Sequence, residues 1–317
     1  MKVKDIFDLA IECGVRNDLR GEQKVKSNLN RIREKYQKLS DDEKEKFDKE
    51  KLENPYTDSV IHYDNDEDIK TVLAGIDIDS AELMIAKQMG DVDLVIAHHP
   101  VGKGLANLSD VMNLQTEVMA GYGVPINVAQ GLLKLRISEV SRGVNAANHY
   151  KTVDTAKNLK INFINVHTPA DNMVASFLKK EIEDKNFQYI SEIMEVLNKI
   201  PEYTEAIKRG YGPTLFSGSE DNYVGKVAIT EVTGGTEGSE KMYEKLAQAG
   251  IGTIIGMHMS EKHKEAAEQN HINAIIAGHI SSDSLGMNLF LDELEKRGVK
   301  VKTCSGLVRV TRGGVLV

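Results

Sequence analysis

Three apolar runs, far apart in the chain, each stop at residues whose side chains bind metals. Residues 94–97 run into His98-His99-Pro100. Residues 161–166 run into His167-Thr168-Pro169-Ala170-Asp171. Residues 272–277 run into Gly278-His279-Ile280-Ser281-Ser282-Asp283. A short continuous apolar run reads as a strand buried on both faces. In open α/β sheets, ligands bind where such strands end. Histidine nitrogens and carboxylate oxygens are the donors a divalent metal needs. The pattern therefore predicts a metal centre assembled from three strand ends.

The rest of the chain fits that frame. Strands are expected at 71–76, 94–97, 124–128, 161–166, 226–230, 251–255 and 272–277. Helices are expected at 4–16, 81–89, from Ser109 or Asp110 onward, 171–208 with a break at Pro201, 239–249, 261–269 and 285–297. Such alternation argues for an α/β fold of two pseudo-related lobes, with mostly parallel sheets flanked by helices and the metal site in the cleft between them. The glycine-rich stretches at 209–213 and 217–219 suggest a linker. The expected division is an N-terminal helical segment with a charged insert (1–65), a first α/β lobe (66–208) and a second (209–317).

The insert at 20–53 is dense in both charge signs, with Leu29, Ile32, Tyr36 and Leu39 at helical spacing. Ser40 and Glu43 form a capping-box pattern. The segment reads as a solvated helical hairpin or as a partner-binding arm.

Composition removes several alternatives. A net charge of −8 and the absence of Trp argue against a basic, base-stacking nucleic-acid surface. The two cysteines, Cys13 and Cys304, make neither a disulfide framework nor a Cys-x-x-Cys metal pair, so a reducing cytoplasm is expected. No apolar run reaches membrane-spanning length.

Each candidate residue has a plainer reading. Adjacent strand residues point to opposite faces, so His98 and His99 share one site only where the strand ends, or serve two metals of a close pair. Asp171, in the first turn of a helix opening near Pro169, is also a helix-dipole partner. His167 reads as a ligand, an orienting group or a substrate contact. His279 and Asp283 share one face of a helical turn, yet 281–284 also reads as an N-cap. The set contains no thiolate, which favours Zn, Mn or Fe. Six candidate ligands exceed one tetrahedral ion's need and suggest two metals sharing a carboxylate. Residues 234–238 read as a bare turn or a phosphate cradle. Lys103 and Arg142 read as solvated or as anion contacts, and His258 follows a strand without an evident partner.

In combination these residues resemble the Nif-three-like family, the type-two GTP cyclohydrolase I homologues. The resemblance rests on Ala74-Gly75-Ile76-Asp77, on Asp93 through Pro100, on His167-Thr168-Pro169-Ala170-Asp171, and on His279 with Asp283. It implies a dinuclear centre with His98, His99, Asp171, His279 and Asp283 as ligands, Asp283 bridging, and His167 beside the site. It also implies two α/β lobes facing a cavity and a ring-shaped hexamer. Asp283 stands where the family usually has Glu, one methylene longer, so bridging requires a closer backbone. The charged insert is no part of the family core.

The expected function is that of a metal-dependent, hydrolase-like protein in the cytoplasm. His167 would be its proton-carrying catalytic group, and a phosphorylated or nucleotide-like small molecule its substrate. The competing reading is a non-catalytic metal-binding regulator or an oligomeric scaffold.

Overall fold

A computed structural model describes residues 1–312. Its strands are β1 (Val60–Tyr63), β2 (Thr71–Gly75), β3 (Leu94–Ala97), β4 (Asn162–Asn165), β5 (Thr214–Ser217), β6 (Lys226–Ile229), β7 (Ile251–Gly256), β8 (Asn273–Ile276) and β9 (Lys300–Cys304). They form two sheets, ordered β1-β4-β3-β2-β9 and β5-β8-β7-β6. All pairings are parallel except those of β1 with β4 and β5 with β8. The wiring repeats: an antiparallel edge strand, then three parallel strands added in the opposite direction. The two lobes are therefore related by topology, β1 to β4 matching β5 to β8. β9 extends the first sheet alone, so residues 300–304, beyond the boundary drawn at 209, belong with the first sheet.

Strand alternation divides the core. In the first sheet Val72, Ala74, Leu94 and Ile96 face one apolar cluster, and Leu73, Val95 and Ala97 face the other. In the second sheet Ile229, Ile255 and Ile275 face one side, and Ala228, Ile254 and Ala274 the other. Two helices, Thr168–Leu178 and His279–Lys296, lie between the sheets. Ala170, Met173 and Met287 join the core of the first, and Val174, Ala175 and Leu285 that of the second. This shared middle layer carries Asp171 and Asp283.

Its packing is unusually close at the end that carries the site. A Cβ on Gly286 would lie 2.4 Å from the Ala170 carbonyl oxygen, and one on Gly14 would lie 2.7 Å from Pro169 Cα. The first contact sets the two middle helices backbone to backbone. The second seats the helix Val3–Arg16 on the start of Thr168–Leu178.

Local sequence explains most elements. Ser40 with Glu43 forms the expected capping box, and Asp79 with Glu82 forms another. Pro169 sits in the first turn of its helix. The insert forms the helices Glu22–Gln37 and Asp41–Lys46 and a short 3-10 turn. It packs back on the domain, where Lys103 Nζ donates to Asp48 and Glu50 at 2.8 and 2.9 Å. No described helix is long and apolar enough to cross a membrane.

Three expectations are corrected. Residues 124–128 are not a strand: Pro125 caps the helix Ile126–Asn145, whose buried Ala129 and Leu133 are spaced four apart. The last long helix begins at His279, not Leu285. Ser282 does not cap it, because its hydroxyl donates back to the Gly278 carbonyl at 2.6 Å, inside the first turn. The stretch between the lobes contains β5, pinned by Ser217 donating to the Ile272 carbonyl at 2.9 Å.

Candidate metal centre

The parallel strands of both sheets release their C-terminal ends into one cleft. From the first sheet, β2 leads to Asp77, β3 to His98 and His99, and β4 to His167. From the second, β6 leads to Glu231, β7 to His258, and β8 to His279.

The adjacent histidines solve their geometric problem by continuing the sheet. The His98 and His99 amides donate to the carbonyls of Gly75 and Ile76, at 2.9 and 3.0 Å. His98 then leans toward β4, its Nδ1 donating to the Val166 carbonyl at 3.0 Å. His99 leans the other way, its Nδ1 donating to Asp77 at 2.7 Å. Each partner fixes the tautomer and leaves Nε2 with a free lone pair.

Those lone pairs converge on carboxylates from the middle helices. His98 Nε2 stands 3.4 Å from Asp171 Oδ1 and 3.4 Å from Asp283 Oδ1. His99 Nε2 and His279 Nε2 stand 3.3 and 3.5 Å from Asp283 Oδ2. Asp283 thus turns one oxygen to His98 and the other to His99 and His279. Three overlapping groups bring their donor atoms within 4.8 Å of one another: His98, Asp171 and Asp283; His99, His279 and Asp283; and His98, His99 and His167.

His167 is held from the far side. Its Nδ1 donates to the buried Asp58 at 2.8 Å, and its Nε2 lies 3.8 Å from Asp171 Oδ2. Asp58 also takes the Thr168 hydroxyl at 2.6 Å. Asp58 and Asp77 are the orienting groups sequence reasoning missed. Asp77 was visible in the motif, but a lone Asp58 before an unrecognised edge strand carried no signal.

The fit to metal ions rests on unpaired atoms. His98 Nε2, Asp171 Oδ1 and both Asp283 oxygens are buried without a hydrogen-bond partner among the described residues. Leaving a buried polar group unmatched costs about 1–3 kcal/mol, more if it is charged. A cluster of four such atoms at one point is what a cation would repair. The electrostatics agree. Burial pulls the His98 imidazole down, but Asp283 and Asp171 outweigh it and hold it well above the ordinary histidine range. Burial pulls His167 down too, and Asp171 and Asp58 raise it. Burial pushes the Asp283 carboxyl up, and the surrounding histidines, His98 first, drive it far below the carboxylate range. His279, more exposed, is lowered chiefly by burial.

The second sheet adds a further wall. Glu231 is buried in a left-handed backbone conformation (φ 57°). One of its oxygens accepts the Gly238 amide at 2.8 Å. His258 stacks edge-on against His279, ring centres 5.3 Å apart, with Nδ1 3.6 Å from Glu237. Burial raises the Glu231 carboxyl against the opposing pull of His263 and His258. The loop 234–238 is a turn pinned by Gln115, which donates to the carbonyls of Gly234 and Thr236 at 2.9 and 2.7 Å. Lys103 points into its ion pairs with the insert, away from any anion role.

Fold and site together define an α/β protein with two mostly parallel sheets and a buried His/Asp cluster able to hold metal ions. The Duf34/NIF3 (NGG1p interacting factor 3) family model matches residues 137–307. The chain belongs to that family. Its structure is similar to the crystal structure of a NIF3 superfamily protein from Sphaerobacter thermophilus. The two are 26% identical with a TM-score of 0.78, covering 97% of this chain and 99% of the other. More distant likenesses include reduced HcgD from Methanocaldococcus jannaschii (17% identical, TM-score 0.49, 77% of this chain and 87% of that one). Another is TTHA1606 from Thermus thermophilus (15% identical, TM-score 0.47, 81% of this chain and 92% of that one). No curated protein matches the sequence.

Proposed function

We propose that this cluster is a dinuclear divalent-metal centre of a hydrolase-like protein. His98 and Asp171 would serve one ion, His99 and His279 the other, and Asp283 would bridge them. The observation that carries this reading is the convergence of four buried, unpartnered donor atoms on one point. The two-sided approach of Asp283 supports the bridge. The donor set is nitrogen and oxygen only, which suits Zn, Mn or Fe. When bound, such ions act as Lewis acids toward a substrate oxygen and acidify water.

The protein's own residues supply the rest. Val166, Asp77 and Asp58 fix the three imidazoles so that each Nε2 meets the cleft. His167, backed by Asp58, is placed to hold or pass a proton beside Asp171. A small-molecule substrate, a cytoplasmic location and a ring-shaped hexamer remain part of this proposal. The alternative, a metal-binding regulator or scaffold, has no single observation in its favour.

Metal content per subunit tests the reading, measured by elemental analysis on protein purified without added metal and again after loading with Zn, Mn or Fe. About two ions are expected in the wild type, falling sharply in Asp171→Ala and His98→Ala. A wild type that retains none after loading would sink the centre.

A further inference from the structure

We propose that the two ion positions of the centre are unequal: the one at His99 and His279 is where an external ligand binds, and the one at His98 and Asp171 is sealed from it. This rests on the proposed dinuclear centre and names the half of it that a substrate meets.

Burial divides the donors. The side chains of His98, Asp171 and Asp283 are 1%, 3% and 0% exposed. Those of His99 and His279 are 24% and 43% exposed. Asp283 therefore turns Oδ1 to a wholly buried imidazole and Oδ2 to two imidazoles that reach solvent. The outer set is two nitrogens and one carboxylate oxygen with a solvent-facing side. Three protein donors and an open fourth position are the arrangement of catalytic sites, where structural sites are closed.

The loop 232–236 closes the inner side. Val232, Thr233 and Thr236 face His167 and Asp171 across a cavity of about 20 Å³, which also reaches His279. That space takes one group of water size. The Thr233 hydroxyl donates to Asn172 Oδ1 at 2.6 Å and so latches the loop to the residue after Asp171. Gln115 pins the loop backbone at Gly234 and Thr236. An external ligand reaches the inner donors only when this loop opens, whereas the outer donors already meet solvent.

The kinetics of metal capture test the difference. Zinc-loaded wild type, with metal content measured in parallel, is mixed with excess pyridylazoresorcinol, a chelating dye whose colour reports each ion captured. One ion per subunit is expected to leave at a rate that doubles with each doubling of the dye, by direct attack. The other is expected to leave at a rate independent of the dye, limited by opening of the loop. Repulsion between neighbouring ions alters the rates but not their dependence on the dye. In His279→Ala, which removes the most exposed of the five donors, the dye-dependent phase is expected to vanish and the other to remain. Thr233→Val is expected to speed the dye-independent phase by about fivefold, from loss of a hydrogen bond worth about 1 kcal/mol. Two wild-type phases with the same dependence on the dye would overturn the inference and leave the centre standing. Loss of the dye-independent phase in His279→Ala would overturn it too. A wild type that takes up fewer than two ions after loading would mark failure of the dinuclear reading itself. Should a variant not fold, the two wild-type phases decide.

Discussion

Gly286 meets Ala170 backbone to backbone: a Cβ at Gly286 would stand 2.4 Å from the Ala170 carbonyl oxygen. The contact lies one residue before Asp171 on one helix and less than one turn after Asp283 on the other. It holds the two carboxylate-bearing helices at a separation only glycine permits. That closeness answers how an aspartate, one methylene shorter than glutamate, reaches the histidines on both sides. Gly286→Ala must therefore push the helices apart. A loss of about 1–3 kcal/mol is expected from overpacking, read as a lower Tm, together with weaker metal retention. A variant with wild-type Tm and metal content would show that the contact does not set the spacing.

Asp283 itself gives the second prediction. Asp283→Asn keeps the shape and removes the charge that faces three histidines at 3.3 to 3.5 Å. Metal content is expected to fall below half of wild type, with the apoprotein still folded. Asp283→Glu adds a methylene to a side chain already in reach, inside a closely packed layer. It is expected to retain metal less well than wild type despite the conserved charge. Equal retention by Asp283→Glu would mean that the layer yields and that close packing does not dictate the choice of Asp.

Asp58 provides a third. It is buried and accepts from both His167 Nδ1 and the Thr168 hydroxyl. Both bonds fall on one carboxylate oxygen, Oδ2, so Asp58→Ala removes them together. A cost of about 1–3 kcal/mol follows for each group left unmatched. The His167 tautomer also becomes free to change. Thermal unfolding reads the first effect, and histidine ring-nitrogen NMR shifts read the second. An unchanged His167 nitrogen spectrum would remove Asp58 from the orienting role.

Much of this architecture was legible in the sequence because period and punctuation agreed. The runs 94–97, 161–166 and 272–277 carried the buried strands, and Ser40 with Glu43 marked a helix start. The failures share one cause, since tertiary partners decided what local pattern left open. Val124 to Val128 alternates like a strand, but Pro125 and the i, i+4 burial of Ala129 and Leu133 make it helical. Ser281 to Asp283 reads as a cap, but the serine hydroxyls turn back on Gly278 and let the helix begin at His279. β1 and β9 are short and half-buried edge strands whose pattern carries no alternation. The site histidines and carboxylates announced themselves through spacing. His167 with Asp171 and His279 with Asp283 are the same i, i+4 pair after topologically matched strands, a repeat visible only once β4 and β8 are seen as counterparts. Asp58 acts through neighbours distant in sequence, so no local signal could have ranked it, whereas Asp77 lay within a motif and His258 at a strand end.

His62 supplies the pH dependence. It sits half-buried on β1, and its Nε2 bonds Asn165 Oδ1 at 2.8 Å. Burial holds the ring down to about 4, with the Asn165 bond working the other way. The sign follows directly. Between the unfolded histidine value near 6.5 and about 4, the unfolded chain binds a proton that the folded protein refuses. The stability His62 contributes is therefore complete above the unfolded value and drains away as pH falls through that window. His98 and His167 are raised and push the opposite way, so the test must be a difference. His62→Gln keeps a polar partner for Asn165 without a titrating ring. The fall in Tm between pH 7 and pH 5 is expected to be smaller in His62→Gln than in wild type, by the equivalent of about 1 kcal/mol once partial solvent screening is allowed for. Parallel Tm curves for the two proteins over that range would show that His62 accepts its proton in the folded state as readily as in the unfolded one.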